Sequence, residues 1–271
     1  MNLKKLVRFL RKNYFIPILV VIVIFIGLIT VYKIGFSKPY YVYVKVKVGQ
    51  GLWWASTQRP SIWQLDAIKK GDTSYDILGK PLAQIISKKY YRYYGSDQLD
   101  IYLSIKVRVT YNKRRGEYSL NRSVLSVGSP IDIQFSSQRI TGTVIALSII
   151  PFNDRFFEKT IKISKKYANP WEFDSIKIGD KYFDGETILF EVVDKQTQNA
   201  SSMLTLNTSF STSGSNVLEP VNPIDVVAKV KLRSINNQWV LGEDQIIVIG
   251  RPLNISTPNF LFDNYVVTSI D

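Results

Sequence analysis

The chain has 271 residues, 35 Lys+Arg against 22 Asp+Glu, a net charge of +13, and neither His nor Cys. Without imidazole there is no Ser-His-Asp triad and no histidine-ligated metal; without thiol there is no cysteine nucleophile, disulfide, or thiolate zinc or iron–sulfur site. The length allows one or two domains with a real core, and the positive balance favours anionic surroundings such as lipid headgroups or an acidic envelope polymer.

Residues 1–14 hold Lys4, Lys5, Arg8, Arg11 and Lys12 and no acid, and residues 13–32 carry no charge. As a helix this uncharged run is about 30 Å long, the thickness of a bilayer's hydrocarbon core. The expectation is a basic cytoplasmic tail over 1–14 and a transmembrane helix over 15–36 that holds the chain in the lipid bilayer. Five cations precede the run and only Lys33 and Lys38 follow it closely, which keeps the N-terminus inside and exports the rest. Gly35-Phe36-Ser37 has the small-x-small form of a signal-peptide cleavage site, but the apolar run is longer than a signal-peptide core, so it reads as an uncleaved anchor.

Alternation dominates beyond it. Val42, Val44, Val46 and Val48 alternate with Tyr41, Tyr43, Lys45 and Lys47; Ile101, Leu103, Ile105, Val107 and Val109 alternate with Tyr102, Ser104, Lys106 and Arg108; a similar pattern runs from Val226 to Arg233. A period of two over such lengths predicts half-buried strands, and no strong amphipathic helix is evident outside the anchor.

The chain also repeats itself. Trp63-Gln-Leu-Asp66 with Ile68-Lys-Lys-Gly71-Asp72 and Asp76 returns at identical spacing as Trp171-Glu-Phe-Asp174 with Ile176-Lys-Ile-Gly179-Asp180 and Asp184. Leu82–Ile86 matches Leu189–Val193. Leu99–Ile101 with Lys106 and Arg108 matches Ile224–Val226 with Lys231 and Arg233. Val127-Gly128-Ser-Pro130 matches Ile249-Gly250-Arg-Pro252, and Val44–Val48 has a counterpart in Thr160–Ile163. Blocks in one order predict a duplication. The expected fold class is mainly β: one N-terminal transmembrane helix followed by two tandem repeated small β-barrel-like or sandwich modules, module 1 over 37–148 and module 2 over 157–271, joined by a hydrophilic linker, 149–156. Gly71, Gly179, Gly128 and Gly250 are expected to reverse the chain, Asp72 and Asp180 to cap such turns, and Pro130 and Pro252 to open strands. Trp63 and Trp171, at equivalent positions, are expected in the core.

The run Ile68-Lys-Lys-Gly-Asp72, Asp76-Ile-Leu-Gly79-Lys80, Ala83-Gln-Ile85 resembles a family of uncharacterised bacterial single-pass membrane-anchored proteins. The second copy keeps Ile176-Lys-Ile-Gly-Asp180 but has Gly185-Glu186 where Gly-Lys would stand. Val127-Gly128 with Gly142-Thr-Val144 is similar, more loosely, to the barrel modules of periplasmic adaptor (membrane-fusion) proteins. That likeness implies an exported β module next to a membrane. The chain lacks the long coiled-coil hairpin of those adaptors.

Several constellations carry candidate chemistry. Asp72/Asp76 and Asp180/Asp184 are carboxylate pairs suited to acid–base work or calcium, or simply to capping turns. Lys88-Lys-Tyr90-Tyr91-Arg92-Tyr93-Tyr94 interleaves cations with aromatics, as a partner-binding surface or as a strand end with tyrosines on both faces. Adjacent Trp53 and Trp54 point to opposite sides of a strand, leaving one for a partner. Residues 196–216, rich in Ser, Thr and Asn, predict a flexible loop. No phosphate loop, dinucleotide fingerprint or Gly-x-Ser-x-Gly elbow is present, so no cofactor is expected. The sequence therefore points to a non-enzymatic, membrane-anchored extracytoplasmic scaffold or binding protein. Its expected partners are the bilayer, a protein partner or a second copy of itself, and an anionic envelope polymer, not nucleic acid. An accessory adaptor subunit of an export complex is the alternative, and a carboxylate-using envelope hydrolase a more distant one.

Overall fold

The structure, a computed structural model, describes residues 15–36, 39–49, 59–92, 99–197, 202–206 and 217–271. The chain divides into two compact units, Met1–Tyr40 and Tyr41–Asp271. In the first, Phe15–Phe36 forms a helix, α1. Its apolar side chains from Ile18 to Ile29 are exposed, and the Thr30 hydroxyl donates to the Ile26 carbonyl at 2.8 Å. Among the described residues no helix is long and apolar enough to cross a membrane. The expected transmembrane helix therefore rests on the sequence run, because the side chains of 16–17 and 31–36 lie outside the described ones.

The second unit is mainly β. Module 1 contains β1 (Tyr40–Val48), α2 (Ile62–Ala67), β2 (Thr73–Tyr75), β3 (Pro81–Arg92), β4 (Leu99–Asn112), β5 (Glu117–Leu120), β6 (Ser123–Leu125), β7 (Pro130–Gln134) and β8 (Arg139–Ser148). Module 2 contains β9 (Phe157–Ala168), α3 (Pro170–Ser175), β10 (Lys181–Phe183), β11 (Ile188–Thr197), β12 (Ser202–Leu206), β13 (Val217–Ile235), β14 (Gln238–Leu241), β15 (Gln245–Ile247), β16 (Pro252–Ser256) and β17 (Leu261–Ile270). The strand orders, β2-β3-β4-β1-β8-β7 and β10-β11-β13-β9-β17-β16, are the same strand for strand, with β12 added on β13. The two sheets are curled half-barrels. Each buries the apolar half of its alternation: Val42, Val44, Val46, Ile101, Leu103, Ile105 and Val107 in one, Ile161, Ile163, Phe190, Val226, Ala228 and Phe262 in the other.

The turn residues recur atom for atom. Gly71 (φ +86°) and Gly179 (φ +85°) donate their N–H to the Ile85 and Val192 carbonyls, both at 2.8 Å. Gly128 and Gly250 (φ +88° each) donate to Val144 at 2.7 Å and Val267 at 2.8 Å. Pro130 and Pro252 begin β7 and β16, the terminal strands of the two orders, where a missing N–H costs no ladder bond.

Three expectations are corrected. Trp63 and Trp171 are not core residues: they ride on the short helices α2 and α3 and are 68% and 60% exposed. The shared spacing there fixes a helical turn whose buried members are Leu65 and Glu172, not the indole. The match of Lys106 and Arg108 to Lys231 and Arg233 is shifted by two positions. Gln84 pairs with Lys106 and Glu191 with Lys229, so Arg233 stands where module 1 has Thr110. The bulges of β3 and β11 fall at the same place in both copies; the chain between β3 and β4 and that between β11 and β13 differ in length, and sequence comparison alone does not fix the register across them. Finally, the Ser/Thr-rich stretch is not all loop, since Gln196 and Thr197 end β11 and Ser202–Leu206 forms β12.

Candidate functional site

Module 2 covers Lys45 and Lys47 on the outward face of β1 and the far end of β3. Three of its segments do so: the turn after β10, the loop Gly242–Asp244 between β14 and β15, and Arg233 of β13. The β3 backbone takes the first contact. Tyr90 donates its N–H to the Asp184 carbonyl at 2.8 Å, and the Tyr182 hydroxyl donates to the Tyr90 carbonyl at 3.1 Å. The strand-edge groups of β3 thus find partners in the other module, as buried backbone groups must.

Two glycines make this approach possible. A Cβ on Gly185 would lie 2.8 Å from the Lys88 carbonyl, and one on Gly242 would lie 2.5 Å from the Tyr91 ring; both residues also have positive φ, +103° and +65°. A side chain at either position is strained twice, by backbone and by contact.

Around this seam five charges converge. Lys45 bonds Glu243 at 2.9 and 3.2 Å. Arg233 forks between Asp154 at 3.0 Å and Glu243 at 2.9 Å and also donates to the Gly242 carbonyl at 2.6 Å. Lys89 meets Asp154 in a short contact and lies 3.7 Å from Glu243. The side chains of Lys89 and Glu243 are 8% and 4% exposed. Phe152 and Phe156 lie against the two ammonium groups, at 5.6 Å from Lys45 and 5.4 Å from Lys89. Every buried side-chain nitrogen and oxygen among the described residues has a partner, the condition under which a buried charge cluster is stable rather than costly.

Electrostatics follow the geometry. Burial opposes the charge on Asp154, yet Lys89, Lys45 and Arg233 outweigh it and hold the carboxyl below its ordinary range. Burial likewise opposes charge on Lys89, and Asp154 and Glu243 more than offset it, raising the ammonium above its usual value. The Tyr91 phenol is driven well up, first by burial and then by the Glu243 and Asp184 charges. Tyr91 packs edge-on to Tyr102, 5.6 Å between ring centres, and 6.4 Å from Tyr182. A smaller pair of contacts flanks the cluster: Tyr102 donates to Asp244 at 3.1 Å, and Lys47 lies 3.3 Å from Asp100.

The sequence-derived candidates fall in several places. Tyr90 and Tyr91 are brought together with Asp184 in this seam, where the surface they meet is module 2 of their own chain; Arg92 is exposed at the end of β3. Trp53, Trp54, Tyr93 and Tyr94 lie outside the described residues. The carboxylate pairs hold turns. Asp72 accepts from the Thr73 N–H and ties that turn to Ser136 and Ser137; Asp180 accepts from Lys181, Thr257 and Asn259. Asp76 accepts from the Leu78 and Lys80 amides at 2.9 and 2.8 Å and pairs with Arg108. Asp184 accepts from the Glu186 and Thr187 amides at 2.9 and 2.7 Å. Among the described residues no acidic group of three or more is placed to hold a metal ion.

Sequence reasoning missed Lys45, Lys89, Asp154, Arg233 and Glu243 as a unit. A signal was present: Lys89 and Arg233 are charges where the register of the other copy places Gln196 and Thr110. Comparison of the chain with family models, with curated proteins and with solved structures returned no match.

Proposed function

We infer that the chain is a non-enzymatic, membrane-anchored extracytoplasmic scaffold or binding protein that presents its two β modules as one rigid body. The observation that carries this reading is the closed seam between the modules. Its backbone bonds, glycine contacts and five-charge cluster are mutually satisfied, so the pair resists the hinge motion that weak interdomain contacts permit. A rigid pair sets a fixed distance between surfaces, which suits assembly with an envelope component or a membrane complex.

The anchoring half of the reading is supported by the uncharged run 13–32 and the cations ahead of it. The non-enzymatic half is supported by the carboxylates, each of which is engaged in holding a turn. Exposed Trp63 and Trp171, on matching helices, offer each module an aromatic contact for a protein or an envelope polymer.

The chain has no Cys, so a single cysteine reports its own location. A Lys113→Cys variant, in the exposed β4–β5 turn, is expected to react with a membrane-impermeant maleimide on intact cells. Labelling only after lysis overturns the extracytoplasmic placement. Photo-crosslinkers at Trp63 and Trp171 then test the binding role: a discrete envelope product at these positions, absent from a Lys113 control, is the expected result.

A further inference from the structure

The turn that seats module 2 on module 1 has a bare twin. In module 2, Asp184–Thr187 is pressed against β3. The matching turn of module 1, Asp76–Lys80, is held by the same Asp-to-amide bonds, yet it carries Ile77 and Leu78, 104% and 73% exposed, beside Tyr75 at 61%. Tight turns are normally filled by small or polar residues. Two adjacent aliphatic side chains in water therefore require a reason, and nothing in their own turn geometry supplies one, because the Asp76 carboxylate already fixes it.

The position of this tip identifies the occupant. Tyr75, Pro81 and Leu82 line one hollow together with Tyr41 and Lys106, and the Lys106 ammonium lies 4.7 Å from the Tyr41 ring centre. The tip thus belongs to the end of module 1 where β1 begins. In sequence, α1 ends at Phe36 and β1 starts at Tyr40. A connector that short reaches at most about 14 Å however it runs. If residues 15–36 span a bilayer, the β1 end of module 1 is tethered within that reach of the lipid.

We propose that the Ile77-Leu78 tip is a membrane-docking element, embedded in the extracytoplasmic leaflet, with Tyr41 and Tyr75 at headgroup level and Lys80 and Lys106 facing lipid phosphate. The parts match the physics of interfacial binding: aliphatic side chains enter the acyl boundary, tyrosine occupies the interface, and lysine adds attraction to anionic headgroups. Such a second contact would hold the module pair to the membrane at a point other than the anchor. This inference rests on the anchored reading given above.

The test uses the full chain in nanodiscs loaded at one copy per disc, with an environment-sensitive fluorophore on a single cysteine placed at Ile77, Ile24 or Lys113 in turn, and lipids carrying a spin label at a shallow acyl position for Ile77 and Lys113 and near the acyl chain end for Ile24. The expected result is a blue shift and quenching of the Ile77→Cys label approaching that of the Ile24→Cys label, while the Lys113→Cys label stays in water. Quenching at Ile24 without quenching at Ile77 overturns the docking element and leaves the anchor standing. No quenching at Ile24 overturns both. A blue shift at Ile77 that appears only at high protein density, without lipid quenching, assigns the tip to a second copy and overturns the lipid assignment. An Ile77→Asp/Leu78→Asp variant is expected to abolish quenching of a label at Tyr75→Cys while leaving the thermal midpoint in place.

Discussion

Modules 1 and 2 share a strand order and matching turn bonds, and they differ where one covers the other. Lys45 and Lys162 are equivalent by ladder register, each facing out from the central strand of its sheet. The Lys45 side chain is 10% exposed beneath Glu243; that of Lys162 is 43% exposed and pairs at 3.0 Å with Asp225 of its own sheet. The same residue is a buried member of a charge cluster in one copy and an ordinary surface cation in the other. The two modules agree in the residues that make the fold and differ in the docking chemistry, which sits at positions the fold does not constrain.

A second contrast lies inside the modules. In module 2 the helix α3 is anchored by Glu172, which is 3% exposed. It accepts from Lys165 at 2.8 and 3.0 Å, from the Asn169 amide at 3.1 Å and from the Tyr265 hydroxyl at 3.3 Å. In module 1 the matching Gln64 accepts from the Ser61 amide at 3.1 Å, with Val48 and Gly142 in place of the lysine and tyrosine. Glu172→Ala leaves a lysine and a buried phenol without their acceptor and should cost about 3–5 kcal/mol, the scale for breaking a buried pair. Gln64→Ala removes a cap and should cost about 1 kcal/mol. Urea unfolding of the two variants measures the difference, and equal losses would remove the distinction drawn between the two helices.

The two turns provide the next largest effect. Gly79 has positive φ (+72°) and open space, with nothing within 4 Å of where a Cβ would stand, whereas Gly185 has φ +103° and the Lys88 carbonyl 2.8 Å away. Gly79→Ala should cost about 1 kcal/mol from the left-handed backbone alone. Gly185→Ala adds overpacking and should cost roughly 2–4 kcal/mol in all. Amide exchange at Tyr90, whose N–H is held by Asp184, should quicken in the second variant only. Equal exchange in both would mean that the turn does not bear on the seam.

Changes of pH should act on the seam more weakly than either substitution. Asp154 ionises more readily in the fold than outside it, so its contribution is present above the ordinary carboxylate range and is lost as pH falls through its folded value, below about 4. Lys89 is shifted up, so its contribution is present below about 10.4 and is lost as pH rises beyond its folded value. Tyr91, also shifted up, must stay neutral and reinforces the alkaline limb. Protection of the Tyr90 amide should therefore be flat between these limits. Asp154→Asn should remove the acid limb that Asp154 supplies and leave the alkaline limb in place. A protection profile that changed around pH 6 or 7 would contradict the assignment, since Asp154 is held below and Lys89 above that range.

The sequence announced what depends on local periodicity. Alternation at Val42–Val48 and Ile101–Val109 placed strands, and the Gly71-Asp72 and Gly179-Asp180 pairs placed turns, because a positive φ and a side-chain cap are properties of a few neighbouring residues. The seam was not legible, because its members, Lys45, Lys89, Asp154, Arg233 and Glu243, are spread from β1 to the loop before β15 and each reads as a surface charge by itself. Asp154 in particular looked like linker polarity. The one long-range clue, charge present in only one copy, was blurred by the unequal lengths of chain before β4 and β13, across which Arg233 falls two positions from its apparent match.

The tryptophans show how a repeat can mislead about burial. Recurrence at a fixed place signals a constraint, and for a large aromatic residue the ready inference is a core contact. Here the constraint acts on the turn, through Leu65 in one copy and Glu172 in the other, while the indoles of Trp63 and Trp171 face outward. Trp171 meets the Phe260 ring, with ring centres 6.5 Å apart. Replacing Trp63 by Ala should then change stability by no more than about 0.5 kcal/mol, and Trp171 by only slightly more, the range for surface positions. Thermal unfolding of the two variants measures this. A loss of several kcal/mol at Trp63 would mean that the indole is covered in the native protein, which would relocate its role from the free surface to an interface.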